Sequence, residues 1–131
     1  MGLINPINIP PVPGHFISAG AAGGDPTVVK ANPSSVKYLM ASNINAAARY
    51  LKVYNKSSAP TSSDTPVHTF IIPGNTAGAG TNLAPEGGIN LDKGFAFRLV
   101  TGAADNDNTA VASAEIIVNW GNSSFGIDTQ E

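Results

Sequence analysis

Two histidines, His15 and His68, and one acidic-amide run, Asp105-Asn106-Asp107-Asn108, are the side chains with which this chain would do chemistry. Neither histidine stands in a metal-ligand spacing such as a two-histidine helix motif. No G-x-S-x-G phrase supports a Ser-His-Asp triad, which a sequence of this composition can otherwise assemble only by coincidence. The run at 105–108 begins like a calcium loop, whose oxygen-rich side chains suit a hard cation. Counted from Asp105, however, the sixth position is Ala110 instead of glycine and the twelfth is Ile116, with Glu115 one residue early. A turn between strands explains Asp and Asn as well as calcium does, because both cap the backbone and tolerate left-handed conformations. Gly20, Gly23 and Gly24 lack the lysine and helix of a phosphate loop, and Gly78 with Gly80 is followed by Thr81-Asn82. No catalytic residue, cofactor or metal is therefore assigned.

The elements that would position these groups read as strands. Short runs rich in β-branched and aromatic residues fall at 27–31, 35–42, 48–55, 66–72, 94–101 and 113–120, with weaker candidates at 14–18 and 87–91. Breakers separate them: Asn32-Pro33, Ser57-Ser58-Ala59-Pro60, Pro73-Gly74-Asn75 and Gly87-Gly88. Alternation places Phe95, Phe97 and Leu99 opposite Ala96, Arg98 and Val100, and Ile116, Val118 and Trp120 opposite Ile117 and Asn119. Leu51 and Val53 alternate with Tyr50, Lys52 and Tyr54, and a lysine between tyrosines predicts a half-exposed face. His68 is expected to be a partly buried structural residue. Ala46-Ala47-Ala48 is too short for a helix and reads as a turn or bulge. The stretch 73–88 has the look of an insertion loop without core. The expectation is an all-β, two-sheet antiparallel β-sandwich, jelly-roll or Ig-like, with an extended N-terminal arm.

Three segments follow: an arm at 1–14, a sandwich at 15–121 and a polar tail at 122–131. Pro6, Pro10, Pro11 and Pro13 exclude a helix in the arm and favour extended backbone. Leu3, Ile4, Ile7, Ile9 and Val12 make it greasier than a disordered tail, so these five are the candidate partner-binding residues. They would lie in a neighbouring subunit's groove; an edge strand or frayed terminus of the same domain is the plainer alternative.

Composition narrows the partners. Charged residues are 12% of the 131 residues, about half the usual share for a soluble domain, which fits equally a surface largely covered by protein and a soluble β domain whose exposed faces are Ser, Thr and Asn. The net charge is −2 and the basic residues are scattered, so no nucleic-acid interface is expected. No apolar run approaches the roughly 18 residues of a membrane span, and no secretory signal is read. The absence of cysteine rules out disulfides and thiolate metal sites.

The phrases SSVKYLMASNINAAARYLKVYNKS (34–57), TPVHTFIIPG (65–74), GFAFRLVTGAADNDNTAV (94–111) and EIIVNWG (115–121) resemble a group of small virion proteins of tailed phages and prophages. The resemblance spans about two-thirds of the chain. It implies a non-enzymatic virion structural protein, of the capsid decoration or cement type, made in the host bacterial cytoplasm and bound to the capsid surface. Its implied partners are the major capsid protein and itself, as a homodimer or homotrimer. Two alternatives stay open. One is a tail or baseplate accessory protein or receptor-binding adaptor displaying loops 56–66 and 73–88. The other is a carbohydrate-binding module in which Trp120, Tyr38, Tyr50 or Tyr54 stacks on sugar.

Overall fold

A computed structural model describes residues 11–76 and 81–124. Nine strands run through that span: β1 (Val12–Ile17), β2 (Thr27–Lys30), β3 (Ser34–Asn43), β4 (Arg49–Asn55), β5 (His68–Ile72), β6 (Thr81–Asn82), β7 (Ile89–Leu91), β8 (Phe95–Val100) and β9 (Ile116–Ser124). Among the described residues no helix is long and apolar enough to cross a membrane.

The strands form two antiparallel sheets. Sheet A has the order β1-β9-β3, with the far edge of β3 shared by β6 and β7; sheet B has the order β2-β8-β4-β5. Taking β6 and β7 as one interrupted strand, the chain pairs first with last, second with second-last, and so on inward to β4 with β5. That is one long hairpin rolled up until β9 meets β3 and β8 meets β4. The rolled hairpin is a jelly roll, which decides between the two sandwich types expected.

The strands form where β-branched and aromatic residues alternate, because alternation delivers one apolar face per strand. Val36, Leu39, Ala41, Ile116, Val118 and Trp120 of sheet A meet Leu51, Val53, Phe95, Phe97 and Leu99 of sheet B in a single core. Full burial of each large side chain contributes about 1.5–3 kcal/mol. Phe97 sits at the centre, edge-on to Phe16 at 5.4 Å and to Trp120 at 5.6 Å between ring centroids. Gly14 lies opposite Trp120, and any side chain there would run into the indole.

The structure departs from the sequence reading at particular points. Lys52, expected on a half-exposed face, is fully buried, and so is Arg98. The reason is a loop, described below, that covers the outer face of sheet B. The stretch 73–88 is not wholly a core-free insertion. Within it β6 pairs with Met40 and Ala41, and Leu83 packs against the core. His68 is exposed instead of partly buried, its ring stacked on Phe70 at 5.2 Å. Val12, Pro13 and Gly14, expected in the arm, stand in β1, and Asn122, Ser123 and Ser124, expected in the tail, extend β9. Leu3, Ile4, Ile7 and Ile9 of the arm lie outside the described residues.

Candidate functional site

Among the described residues, two polar clusters enclose buried charged side chains, and in both the members are tied to each other. The first is the corner where β3 crosses to β4. Asn43 is fully buried. Its Nδ2 donates to the Ala47 and Ile72 carbonyls at 2.9 and 3.3 Å, and its Oδ1 accepts from Asn45 N at 2.8 Å. The Asn45 side chain in turn caps Ala47 N at 2.7 Å and donates to Glu115 Oε1 at 2.8 Å. Arg49 Nε donates to Glu115 Oε2 at 2.7 Å. Ala46-Ala47-Ala48 is thus the expected turn, held by asparagine side chains that replace missing ladder bonds. Burial pushes the Glu115 carboxyl up, but the Arg49 and Asn45 hydrogen bonds outweigh it and hold the group below its ordinary value. Ser18 Oγ closes the corner by accepting from Glu115 N and Ile116 N, both at 3.0 Å.

The second place is the outer face of sheet B. Lys52 and Arg98 stand directly opposite each other on β4 and β8. The 101–110 segment folds back over them, closed at its base by Thr101 N to Thr109 O at 3.0 Å. Arg98 Nε donates to Tyr54 Oη at 2.9 Å, Nη1 to Gly23 O at 3.1 Å and to Asn108 Oδ1 at 3.0 Å, and Nη2 to Asp105 O at 3.4 Å. Lys52 Nζ donates to the carbonyls of Ala103 and Ala104. From the other side the 19–25 loop leans on β8, fastened by the Asp25 carboxylate, which accepts from the backbone of Ala19, Gly20 and Ala21. Gly24 is required there: its φ is +83°, and a Cβ would sit 2.7 Å from Val100 Cγ1. Burial lowers the Lys52 pKa, Arg98 lowers it further, and Asp105 and Asp107 partly offset both.

Part of the oxygen set of the 105–108 run is already engaged within the protein. The loop's carbonyls and the Asn108 side chain point inward to two protein cations, and Asp107 Oδ1 is occupied in capping Thr109 N at 3.0 Å. The run at 105–108 is the roof of sheet B. Among the described residues no three of His, Asp and Glu stand close enough together to hold a metal ion. His15 and His68 lie on different sheets. His15 hydrogen-bonds Asn119 at 2.9 Å across β1 and β9. The aromatic residues weighed as a sugar platform do not form a row. Trp120 and Tyr54 are buried, while Tyr38 and Tyr50 are on opposite sheets.

The outer face of sheet A is built differently. Its strands turn Pro13, His15 and Ile17 of β1, Ile117, Asn119 and Gly121 of β9, and Tyr38, Met40 and Ser42 of β3 away from the core, in register across the sheet. Ile17 stands beside Ile117, and Ile117 beside Ser42; Ile44 follows just past the end of β3. Ile17, Ile44 and Ile117 are 47%, 60% and 36% exposed. The Tyr38 ring lies over Gly121, where a Cβ would collide with it. Lys37, at the bulge between Val36 and Tyr38, is the one full charge at this face among the described residues. One sheet is therefore roofed, and among the described residues nothing covers the other. Sequence reading passed over this face, although alternation at 14–18 and 113–120 with isoleucine on both phases was its visible trace.

Compared with known proteins, the chain matches no family model, no curated protein and no solved structure.

Proposed function

We propose that this protein is a non-enzymatic structural protein of a tailed-phage virion, one that binds the outside of the capsid as a homo-oligomer and cements neighbouring major capsid protein subunits. The observation that carries the reading is the outer face of sheet A, which among the described residues is uncovered and almost uncharged, with isoleucines at 17, 44 and 117. Docking such a face on another protein strips few charges of water, so the unfavourable part of association is small. A contiguous apolar patch rimmed by polar residues is a usual mark of an interaction site, and Ile17 and Ile117 are adjacent here. The jelly roll is a frame used by capsid and lectin domains alike, so fold alone does not choose between them. The resemblance at 34–57, 65–74, 94–111 and 115–121 favours the virion. Leu3, Ile4, Ile7, Ile9 and Val12 supply a second contact, laid in a groove of a neighbouring subunit, and simultaneous contacts slow dissociation.

The test is binding of the purified protein to undecorated shells, read by co-sedimentation and by cryo-electron microscopy of virions. The double variant Ile17→Glu/Ile117→Glu should keep its circular dichroism spectrum and lose shell binding. Removal of residues 2–10 should weaken binding without unfolding the domain. Density confined to the tail would replace the capsid reading with the tail or baseplate one. Unchanged binding by the double glutamate variant would remove sheet A from the contact.

A further inference from the structure

Every open sheet has edges, and an unpaired edge invites another strand unless something blunts it. Three of the four edges here are blunted. On β1, Ser18 N donates to Ile116 O. Alternate residues Phe16, Gly14 and Val12 therefore turn their amides toward β9, and Pro13, His15 and Ile17 turn theirs outward. Pro13 has no N–H to offer there. β2 is four residues long, breaks register between Val28 and Lys30, and ends on a charge. β6 and β7 are two and three residues long.

The fourth edge, β5, is different. It runs five residues, His68-Thr69-Phe70-Ile71-Ile72, in unbroken register with β4 from Arg49↔Ile72 to Val53↔His68. It holds no proline, glycine, lysine or carboxylate. Its outer side is apolar, with Ile71 54% exposed and Val67, just before the strand, 47% exposed. Among the described residues no strand pairs with its free side.

We infer that β5 pairs antiparallel with the β5 of a second copy of this chain across a two-fold axis. The strand is self-complementary in the sense this requires: it is uncharged, so two copies bring no like charges together. Centred on Phe70, the pairing sets Thr69 opposite the partner's Ile71 and His68 opposite the partner's Ile72. The axis stands perpendicular to the sheet, because only that operation joins two antiparallel edges into one continuous sheet. Sheet B then runs through both copies, and both bare sheet A faces look the same way. The dimer doubles the width of the face proposed above for the capsid. The inference deepens the self-association in that proposal; it rests on that reading only for the use made of the joined faces.

The experiment is sedimentation velocity of the full chain over the micromolar range, wild type against Thr69→Lys/Ile71→Lys. Both positions are exposed, so the variant should fold, which circular dichroism checks. The wild type should sediment as a dimer and the variant as a monomer, with association weakened about tenfold or more. The chain has no cysteine, which allows a register test. An equimolar mixture of Thr69→Cys and Ile71→Cys should oxidise to a disulfide-linked dimer several-fold faster than either alone. A monomeric wild type, a dimer indifferent to the two lysines, or equal cross-linking of mixed and separate variants would each overturn the inference. Shell binding is measured separately. A monomer that still coats shells defeats this inference alone, and a β5 dimer that ignores shells defeats only the capsid reading.

Discussion

Lys52 and Arg98 look interchangeable, two buried cations facing each other under one loop, yet their removal should have very unequal consequences. Arg98 makes four hydrogen bonds, and they join three pieces of chain: Tyr54 in β4, Gly23 in the loop before β2, and Asp105 and Asn108 in the roof. Arg98→Met leaves these acceptors without a donor, with Tyr54 almost wholly buried. Breaking a buried charged network costs about 3–5 kcal/mol. For a domain of this size that lowers Tm by about 10–20 °C. Lys52 has two acceptors, the carbonyls of Ala103 and Ala104, and both residues are exposed, so water replaces the lost donor. Its ammonium also sits directly across the ladder from Arg98 without a carboxylate in contact. Lys52→Met ends that repulsion and a desolvation cost while keeping the stem's packing, so stability should change by about 1 kcal/mol or less. The two variants and the wild type would be compared by thermal and urea unfolding. Because the Lys52 pKa is lowered by folding, the unfolded chain holds the extra proton as pH rises through the folded value. Wild-type stability should therefore climb, relative to Lys52→Met, as pH goes toward the ordinary lysine value of 10.5. Equal losses in both variants, or a flat pH comparison, would show that the ammonium's own hydrogen bonds outweigh its burial and its neighbour.

Glu115, held below its ordinary carboxylate value by Arg49 and Asn45, contributes stability that is present above pH 4.5 and lost as pH falls through the lower folded value. Glu115→Gln should lower stability by about 1–3 kcal/mol at neutral pH and flatten the acid limb of the unfolding curve. Gly14→Ala should force Trp120 to move, at a cost of about 1–3 kcal/mol. As Trp120 is the sole tryptophan, the shift is read directly in its fluorescence.

Much of the frame is legible in the residues. Strands β3, β4, β8 and β9 follow runs of β-branched and aromatic side chains, and the breaks fall at Asn32-Pro33, Pro73-Gly74 and Gly87-Gly88, because period-2 burial and turn chemistry are local. Burial of Lys52 is not local. Tyr50-Lys52-Tyr54 has the pattern of a half-solvated face, and what covers it arrives about fifty residues later from 101–110. β6 is two residues long and carries no strand signature of its own. The candidate face of sheet A was the hardest to see, since an isoleucine turned outward is indistinguishable by type from one turned inward. Alternation sets Ile117 opposite Ile116, but it is the register of β1, β9 and β3 that brings Ile17 beside Ile117 on one outward face.

The polar residues of 43–49 and 101–108 hold the fold together. Asn43, Asn45 and Arg49 build the corner with Glu115, and the 101–108 run roofs Arg98 and Lys52. This has a consequence for the surface. A chain that is 12% charged places Lys52 and Arg98 wholly inside and keeps Asp25 and Glu115 nearly so, with Arg49 engaged by Glu115. The exterior is therefore poorer in charge than the composition suggests, and on sheet A it is poorest. Ile17 and Ile117 pair across β1 and β9 and Ile44 lies just past β3, so their outward side chains leave the core unchanged if replaced by Thr, which is also a good strand former. What the replacement removes is apolar area left in water, the area that the contact proposed above would cover.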